Sequence, residues 1–371
     1  MAAKLKQLMS GRIKRLRAMM FEQGLDGLIV TNLTDVRYLT GYTGSAGILL
    51  LTEDRKLLVS DSRYTIQLKQ QCPGLPVFMR KNETVDEAIA VALQRCLSKW
   101  KKRQPPCVGI EQDMVSYARF KRLRKLIGKG LIPCDLIVPI LRQIKDTHEV
   151  TQIRKAGVIA QEALLASLEQ LAPGMTEMQL CAILEYEIAD RGGRPASFDP
   201  IIAFGANAAK PHAYPGNARF RKGQPILIDW GATSNGYKSD LTRCFCNGRI
   251  PPAFADAYEW VLEAQVTAIE LIKPGAVMSE VDRAARKVMK RSGLPVFGHG
   301  LGHGLGLDIH EEPRFNPVTD VECEPGMVMT VEPGIYLAGK MGIRIEDDVL
   351  VTERGKRLLT DLPKDLASVR L

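Results

Sequence analysis

The stretch GHGLGHGLGLDIHE at residues 298–311 has a glycine at every second position up to residue 306 and ends in a histidine and a glutamate. Three of the five histidines of the chain, His299, His303 and His310, fall within it. Alternate side chains of a strand point to opposite faces, so an extended run predicts His299, Leu301 and His303 on one face and bare backbone on the other. Glycine weakens a strand interior and usually marks a close backbone approach. The stretch therefore indicates a functional site rather than a loop with incidental histidines.

The composition is that of a globular protein, with 371 residues, 45% hydrophobic and 25% charged, and this length favours two domains. No apolar run reaches the roughly 20 residues that span a bilayer. The basic, amphipathic N-terminus lacks the apolar segment and cleavage site of a secretory signal. Eight cysteines are scattered without a CxxC pair, which favours reduced, mostly buried thiols over disulfides or a zinc–thiolate site. We expect a cytoplasmic protein that does not bind membranes.

Charge is divided unevenly along the chain. Residues 1–144 carry 25 Lys and Arg against 12 Asp and Glu, whereas residues 145–371 carry 26 against 30. Basic residues are concentrated at 101–103 and at 119–129, and in the second run apolar residues recur at helical spacing. The basic side chains there are expected to form the solvated face of a helix. A nucleic-acid partner is the alternative, but no recognisable nucleic-acid module accompanies the charge, so we do not expect one.

The first part of the chain alternates helix and strand signals, which predicts an α/β domain. We expect helices at 4–23, 83–102 and 116–128, strands at 27–30 and 108–110, and a hairpin over 47–59. We place the end of this domain at residue 143, because Asp146 or Thr147 can cap the strongly periodic helix that follows.

The second part, residues 144–371, groups its helix and strand signals in blocks, which predicts an α+β domain. We expect helices at 147–171, 176–192, 253–272 and 279–292, and strands within 198–248 and near 327–332, 342–352 and 356–360.

Two aspartates flank a turn signal in this second domain. A two-residue turn at Asn235-Gly236 pairs Gly231 with Asp240, and it places Asp229 on the same face as a diagonal neighbour of Asp240. A register slip of one residue would put the two acids on opposite faces. Adjacent carboxylates at the edge of a core repel each other unless a cation joins them, and a metal ion fits that requirement. An ordinary hairpin with solvated aspartates is the alternative.

Two glutamates occupy similar positions. Glu332 ends the apolar strand 327–332, and Glu346 shares a strand face with Arg344 while Ile343 and Ile345 pack inward. An oxygen-rich set of ligands is typical of harder divalent ions such as Mn²⁺, whereas a structural zinc site is usually rich in thiolates. Two divalent ions would balance four carboxylates, activate a water and stabilise an oxyanion, so the pattern predicts a hydrolase. The predicted metal ligands are Asp229, Asp240, His303, Glu332 and Glu346.

In this order, the residues resemble the creatinase/aminopeptidase superfamily, the "pita-bread" metallopeptidases. The matching signatures are the two aspartates, HGxGHGxGLxxHE at 299–311, Glu-Pro-Gly at 332–334 and Arg-Ile-Glu-Asp at 344–347. The match covers most of 145–371, and the preceding residues resemble the N-terminal domain of aminopeptidase P, prolidase and creatinase. The resemblance implies a creatinase-type N-terminal domain over 1–143 and a pita-bread catalytic domain over 144–371.

The resemblance also implies roles for individual residues. Asp229, Asp240, His303, Glu332 and Glu346 would hold two divalent ions, most often Mn²⁺, with Co²⁺, Zn²⁺ and Fe²⁺ as alternatives. Glu332 would in addition carry the proton of the attacking water. His212 would donate toward the substrate, and His310 would stabilise the tetrahedral intermediate. His299 would line the proline pocket, and Arg344 would pair with a ligand carboxylate or with the substrate. A purely structural role is the alternative for His212, His299 and His310.

The implied activity is hydrolysis of a peptide bond that precedes proline. We favour an Xaa-Pro aminopeptidase, with an Xaa-Pro dipeptidase (prolidase) as the alternative. Methionine aminopeptidases generally lack the first domain, and a non-catalytic interaction protein on the same fold is a more remote alternative. The resemblance further implies a homodimer and a peptide substrate with proline at its second position.

Overall fold

A computed structural model describes residues 2–98, 105–193 and 195–371 of the chain. The protein divides into two compact units, Met1–Arg142 and Gln143–Leu371, so the boundary expected after residue 143 differs by one residue. The basic run 101–103 and the last residues of the predicted helix 83–102 lie outside the described residues. Within the described ranges, every helix is too short or too polar to cross a bilayer.

The first unit is built on a six-stranded sheet of order β4-β3-β2-β1-β5-β6. Strand β2 pairs antiparallel with both of its neighbours, and the remaining neighbours pair in parallel. The predicted strands correspond to β1, the β2–β3 hairpin and β5, whereas β4 and β6 were not predicted. The strands are β1 (Gly27–Val30), β2 (Ile48–Thr52), β3 (Lys56–Asp61), β4 (Val77–Arg80), β5 (Val108–Glu111) and β6 (Leu131–Cys134).

Among the residues that the structure describes, six α-helices accompany this sheet, and the α/β prediction is confirmed. A capping box of Thr84 and Glu87 begins α4, and Ser116 caps α5. On α5 the apolar Leu123 is buried while Lys121 and Arg124 are exposed, which agrees with a solvated basic face. The short helices α2, α3 and α6 were not predicted. The helices are α1 (Ala2–Glu22), α2 (Leu33–Thr40), α3 (Thr65–Gln71), α4 (Val85–Cys96), α5 (Tyr117–Ile127) and α6 (Val138–Gln143).

In the described part of the second unit there are four long helices, each within two residues of its predicted bounds. Asp146 caps the first of them, because its carboxylate accepts the backbone N–H groups of His148 and Glu149. Thr147, the other predicted cap, is instead the first helical residue. The helices are α7 (Thr147–Glu169), α8 (Glu177–Asp190), α9 (Pro252–Leu271) and α10 (Met278–Arg291).

The strands of the second unit are all antiparallel, which confirms the α+β prediction. They form a three-stranded sheet β11-β8-β7, a five-stranded sheet β13-β12-β14-β17-β18 and two separate pairs, β9–β10 and β15–β16. The strands are β7 (Ile201–Phe204), β8 (Pro225–Trp230), β9 (Thr233–Ser234), β10 (Tyr237–Lys238), β11 (Leu241–Cys246), β12 (Gly302–Gly304), β13 (Glu311–Phe315), β14 (Val328–Val331), β15 (Gly334–Leu337), β16 (Met341–Arg344), β17 (Asp347–Thr352) and β18 (Gly355–Leu358).

Side chains of β8 alternate between two apolar clusters, and this alternation positions the site. Ile228 and Trp230 pack into the cluster that contains α7 and α8, and Leu227 packs into the one that contains α9 and α10. Trp230 is fully buried, and its indole Nε1 donates to the carbonyl oxygen of Ala160 on α7 at 2.8 Å. Asp229 has the parity of Leu227, so its carboxylate projects from the opposite face of the strand to Trp230.

All eight cysteines are free, and six of them are buried, as predicted.

Candidate active site

The turn at Asn235-Gly236 sets the register of the first two acids. Both residues have positive φ, 46° and 81°, which a two-residue type I′ turn requires and which Asn and Gly tolerate. Strand β8 pairs with β11 so that Asp229 lies opposite Thr242. Asp240, two residues before Thr242, is then the diagonal neighbour of Asp229, as the predicted register requires.

The two glutamates are fixed by strands from the other sheets. Glu332 follows β14 directly, and its backbone N–H donates to the carbonyl oxygen of Leu301 at 2.8 Å. Glu346 lies between β16 and β17, where the Thr242 hydroxyl donates to its Oε2 at 2.7 Å. Thr242 therefore connects Glu346 to the strand that carries Asp240.

His303 is held in one tautomer by the backbone of the next residue, Gly304. Its Nδ1 lies 3.0 Å from the carbonyl oxygen of Gly304, and since a carbonyl can only accept, Nδ1 carries the proton. The unprotonated Nε2 lies 3.6 Å from Asp240 Oδ2 and 3.6 Å from Glu332 Oε1. Burial lowers the pKa of His303 to about 4, so the ring is neutral at pH 7 and suited to bind a metal.

The glycine-rich stretch differs from its predicted conformation. Only Gly302–Gly304 is strand, and the pairing with β13 shifts register between His303 and Gly304. Leu301 does not share a face with the histidines, because it is fully buried in the apolar core while His299 and His303 line a cavity. The expectation of one continuous extended run was wrong. Its glycines instead allow backbone contact: a Cβ on Gly302 would lie 2.0 Å from the carbonyl oxygen of Thr330.

All nine sequence-predicted site residues line one cavity of about 620 Å³ in the second unit. Ligand atoms of Asp240, His303 and Glu346 lie within 4.8 Å of one another, an arrangement that can hold a metal ion. The nine residues are His212, Asp229, Asp240, His299, His303, His310, Glu332, Arg344 and Glu346.

The carboxylates of this cavity are electrostatically costly to bury together. Burial, with Glu346 and Asp229 nearby, raises the pKa of Asp240 well above its ordinary range. Burial and Glu346 do the same to the pKa of Glu332, and burial and Asp229 raise the pKa of Glu346 to about 8. Among the described residues, Asp229 Oδ1 is buried without a hydrogen-bond partner. Four acids, one neutral imidazole and an unpaired carboxylate oxygen fit a set of ligands for hard divalent ions.

Arg344 is a buried cation of the site. Its Nη2 bonds to Asp229, its Nε donates to the Thr242 hydroxyl at 3.0 Å, and its Nη1 donates to the Tyr336 hydroxyl at 2.8 Å. Nη1 also donates to the carbonyl oxygen of Pro211 at 3.2 Å, next to His212. Of the two partners predicted for Arg344, the structure shows the ligand carboxylate.

His299 forms part of the same network. Its Nδ1 lies 2.7 Å from the carbonyl oxygen of Gly300, so Nε2 is the acceptor and receives the Tyr336 hydroxyl at 3.0 Å. Burial lowers the pKa of His299 to about 4. The ring of His310 lies with its centroid 4.5 Å from that of His303, and burial lowers its pKa as well. All three histidines of the glycine-rich stretch thus have pKa values that favour the neutral form.

Sequence reasoning missed three polar residues of the site: Thr242 and Tyr336, which bond to this network, and Arg314, which lines the cavity. Thr242 was detectable, because it has the strand parity of Asp240. Tyr336 was detectable from the β15–β16 hairpin, where Gly334 pairs with Arg344 and places Tyr336 two residues along on the same face. Arg314, which lines the cavity and donates through Nε to Glu312 at 3.0 Å, had no comparable signal in the sequence.

Comparison with known proteins extends over nearly the whole chain. Residues 151–353 match the model of metallopeptidase family M24, and residues 12–144 match that of the creatinase/prolidase N-terminal domain. An Xaa-Pro dipeptidase of Pyrococcus furiosus is 33% identical over 362 residues, covering 96% of this chain and all of that protein.

Two solved structures are similarly close. The Xaa-Pro dipeptidase from Bacillus anthracis is 34% identical with a TM-score of 0.90, covering 98% of this chain and 100% of that one. The X-Pro aminopeptidase from Thermotoga maritima is 34% identical with a TM-score of 0.86, covering 95% and 99%. The likeness therefore includes both domains.

Proposed function

The chain belongs to metallopeptidase family M24 and carries a creatinase/prolidase N-terminal domain, and from this premise we propose that it is an Xaa-Pro dipeptidase. Relatives named Xaa-Pro dipeptidase or prolidase recur in both the sequence and the structure comparisons. They support the dipeptidase alternative better than the aminopeptidase that the sequence favoured, although one similar structure is an X-Pro aminopeptidase.

The observation that carries the proposal is the convergence of four buried acids and His303 on one cavity. We propose that these five residues hold two divalent ions, and their oxygen-rich character favours Mn²⁺ over Co²⁺, Zn²⁺ or Fe²⁺. When bound, such ions supply Lewis-acid activation of a water and of the scissile carbonyl. The proposed ligands are Asp229, Asp240, His303, Glu332 and Glu346.

The remaining residues would bind the peptide and move protons. Glu332 is both a proposed ligand and the proposed proton carrier, and burial already raises its pKa toward the protonated form. His310 and His212 would donate hydrogen bonds to the oxyanion that develops during hydrolysis. His299 would form the wall next to the proline ring, with Arg344 also lining the cavity and the Tyr336 hydroxyl bonded to both side chains. Burial lowers the pKa of both His299 and His310, which supports neutral rings rather than cations that would compete with the metal ions.

Arg314 favours a dipeptide over a longer substrate. A dipeptide places the free carboxylate of its proline inside the cavity, where the surrounding acids would repel it. Arg314 lines this cavity, and its half-exposed guanidinium offers a cation for that carboxylate. An aminopeptidase acting on longer chains would have an uncharged peptide group at this position.

A substrate panel tests the proposal. Metal-stripped protein would be assayed with Leu-Pro, Leu-Pro-Gly, Leu-Gly and Met-Ala after addition of Mn²⁺, Co²⁺, Zn²⁺ or Fe²⁺. We expect cleavage of Leu-Pro alone. Equal cleavage of Leu-Pro-Gly would instead favour an Xaa-Pro aminopeptidase, and cleavage of Met-Ala would indicate a methionine aminopeptidase. An absence of hydrolysis with every metal would favour the interaction protein.

The proposal includes a cytoplasmic homodimer. The eight free cysteines are consistent with a reducing compartment. The net-basic first 144 residues and the net-acidic remainder offer an electrostatic route to association of two copies. Gel filtration across a salt series checks this route, since an assembly that is insensitive to salt would contradict it.

A further inference from the structure

The glycine-rich segment, defined as residues 297–311, carries three site histidines, but its only strand residues are Gly302–Gly304 and Glu311, the first residue of β13. Two ion pairs bind its two ends. We propose that these pairs position the segment with separate roles: Asp282–Arg286 for the half that binds substrate, and Lys145–Glu311 for the half that acts in catalysis. The inference rests on the proposed function, because His299 and His310 take their roles from it.

The Asp282–Arg286 pair fixes the beginning of the segment. The two residues lie one turn apart on α10, and Arg286 Nε donates to Asp282 Oδ2 at 2.6 Å. The guanidinium also donates to the carbonyl oxygens of Phe297 at 2.8 Å and His299 at 2.6 Å, and Asp282 Oδ1 accepts the N–H of Leu301 at 3.1 Å. One pair therefore holds three alternate residues of the backbone, and the N–H of Leu301 is shared with the carbonyl oxygen of Phe315 on β13 at 2.8 Å.

The fixed backbone sets the direction of the His299 ring. Arg286 holds the carbonyl group of His299 itself, and the ring then reaches the Tyr336 hydroxyl at 3.0 Å. Loss of the pair would let this backbone move while the metal ligands keep their strand positions. The expected effect is weaker substrate binding.

The Lys145–Glu311 pair fixes the end of the segment. Lys145 Nζ lies 3.2 Å from Glu311 Oε2, and the two side chains are 1% and 7% exposed. Glu311 Oε1 accepts the N–H of Asp308 at 3.2 Å, and a Cβ on Gly306 would lie 2.7 Å from that oxygen. The carboxylate is therefore enclosed by the turn that precedes His310, and glycine at 306 makes this enclosure possible.

Because His310 directly precedes Glu311, a fixed Glu311 also fixes the backbone from which the His310 ring projects. A displacement of about 1 Å in a catalytic group can cost on the order of 10²-fold in rate. None of the four paired residues is among the described residues that line the cavity, so they act through the histidines and are positioning residues.

The test uses neutral double variants, since removing one partner would leave a buried charge unpaired. One variant is Asp282→Asn with Arg286→Gln, and the other is Lys145→Met with Glu311→Gln. Each serves as the control for the other. Steady-state kinetics on Leu-Pro with Mn²⁺, Mn²⁺ titration of stripped protein and amide hydrogen exchange of residues 297–311 would be measured for both.

We expect the Asp282/Arg286 variant to raise KM about tenfold with kcat nearly unchanged. Residues that orient metal ligands without binding the metal show effects of this size when they are mutated. The Lys145/Glu311 variant should lower kcat about 10- to 100-fold with KM nearly unchanged. Mn²⁺ affinity should stay within about threefold in both. Parallel changes of kcat and KM in the two variants, or a parallel loss of Mn²⁺ affinity, would overturn the proposal in favour of a general structural role.

Hydrogen exchange separates this inference from the proposed function, because it needs no activity. Faster exchange should be confined to residues 297–301 in the first variant and to residues 304–311 in the second. If the unaltered protein does not cleave Leu-Pro, the proposed function fails, while the exchange pattern still decides whether the pairs hold the segment. Should a double variant not fold, Arg286→Lys and Lys145→Arg take its place: each keeps the charge, and a smaller shift of the same kinetic constant is expected. No shift in either constant would contradict the proposal.

Discussion

The acid-bearing strands and the glycine-rich segment supply the same cavity but are held in different ways. The acids lie in or beside ladders, where Asp229 pairs with Thr242 and Glu346 bonds to the same residue. The segment has four strand residues, Gly302–Gly304 and Glu311, and depends on the side chains of α10 and Lys145. Strand register therefore positions the acidic side chains, whereas contacts with residues distant in sequence position the histidines. The strands should tolerate loss of a side chain, and the segment should not tolerate added volume where its backbone is closely packed, as at Gly302.

The largest expected effect is loss of activity with retention of the fold in Asp240→Asn. The substitution removes a proposed ligand, so the rate of Leu-Pro hydrolysis should fall more than about 10²-fold. This loss is larger than that caused by mutating residues that only orient the ligands. The metal-stripped variant should melt no lower than the unaltered protein, because it relieves repulsion that raises the pKa of Asp240. Mn²⁺ titration and thermal melting check both statements.

Asp199→Asn is the matched control for that substitution. Asp199 lines the same cavity but is exposed and lies outside the proposed ligand set. Its variant should bind Mn²⁺ as the unaltered protein does. Equal loss of Mn²⁺ binding in both variants would remove the distinction between ladder-held ligands and other acids of the cavity.

The next effect is on stability and lies in the segment. Gly302→Ala would bring a Cβ to 2.0 Å from the carbonyl oxygen of Thr330, a backbone atom that cannot rotate away. Overpacking of this kind costs about 1–3 kcal/mol in the free energy of unfolding. Gly298→Ala, four residues earlier, meets no atom within 4 Å and should cost less than about 0.5 kcal/mol. Denaturant unfolding measures the free energy of unfolding of the two variants. Equal values would contradict the prediction that close backbone packing at Gly302 holds the segment.

The smallest effect is a pH dependence that belongs to the strands. In the metal-stripped protein, burial and Asp229 raise the pKa of Glu346 from 4.5 to about 8. The folded state then keeps a proton that the unfolded state releases, so the free energy of unfolding should fall as pH rises between about 4.5 and 8. Thermal melting across this range checks the sign.

Glu346→Gln is the control for this dependence. Its stripped form should melt with a flatter pH profile, since the titrating group is gone. Added Mn²⁺ should stabilise the unaltered protein more at pH 8 than at pH 6, because ligands bind in the deprotonated form. A profile that rises with pH in the stripped protein would contradict the assignment of these acids to one cluster.

Local chemistry made the strands predictable. Asn235-Gly236 determined a turn, the turn determined a register, and the register placed Asp229 beside Asp240. Helix bounds followed from caps such as Asp146, whose carboxylate satisfies the N-terminal backbone groups. Short elements such as β4 and β6 were not predicted, because the hydrophobic pattern of a four-residue strand is too short to distinguish it from a loop.

The conformation of the glycine-rich segment could not be read from its own residues. Its backbone is set by Asp282, Arg286 and Lys145, which are distant in sequence, and by a register shift after His303. Alternation alone therefore wrongly placed Leu301 with the histidines. Contacts that join residues far apart in the chain leave no periodic signal in a single sequence.

Trp230 gives the protein an optical property that follows from its position. The indole is fully buried one residue after Asp229, whereas Trp260 is partly exposed beside Arg291. An indole emits at longer wavelength when water reaches it, so a slip of the β8–β11 ladder would redden the emission of Trp230. With Trp100 and Trp260 replaced by phenylalanine, the emission wavelength of Trp230 would report whether Asp229 and Asp240 still lie on the same face.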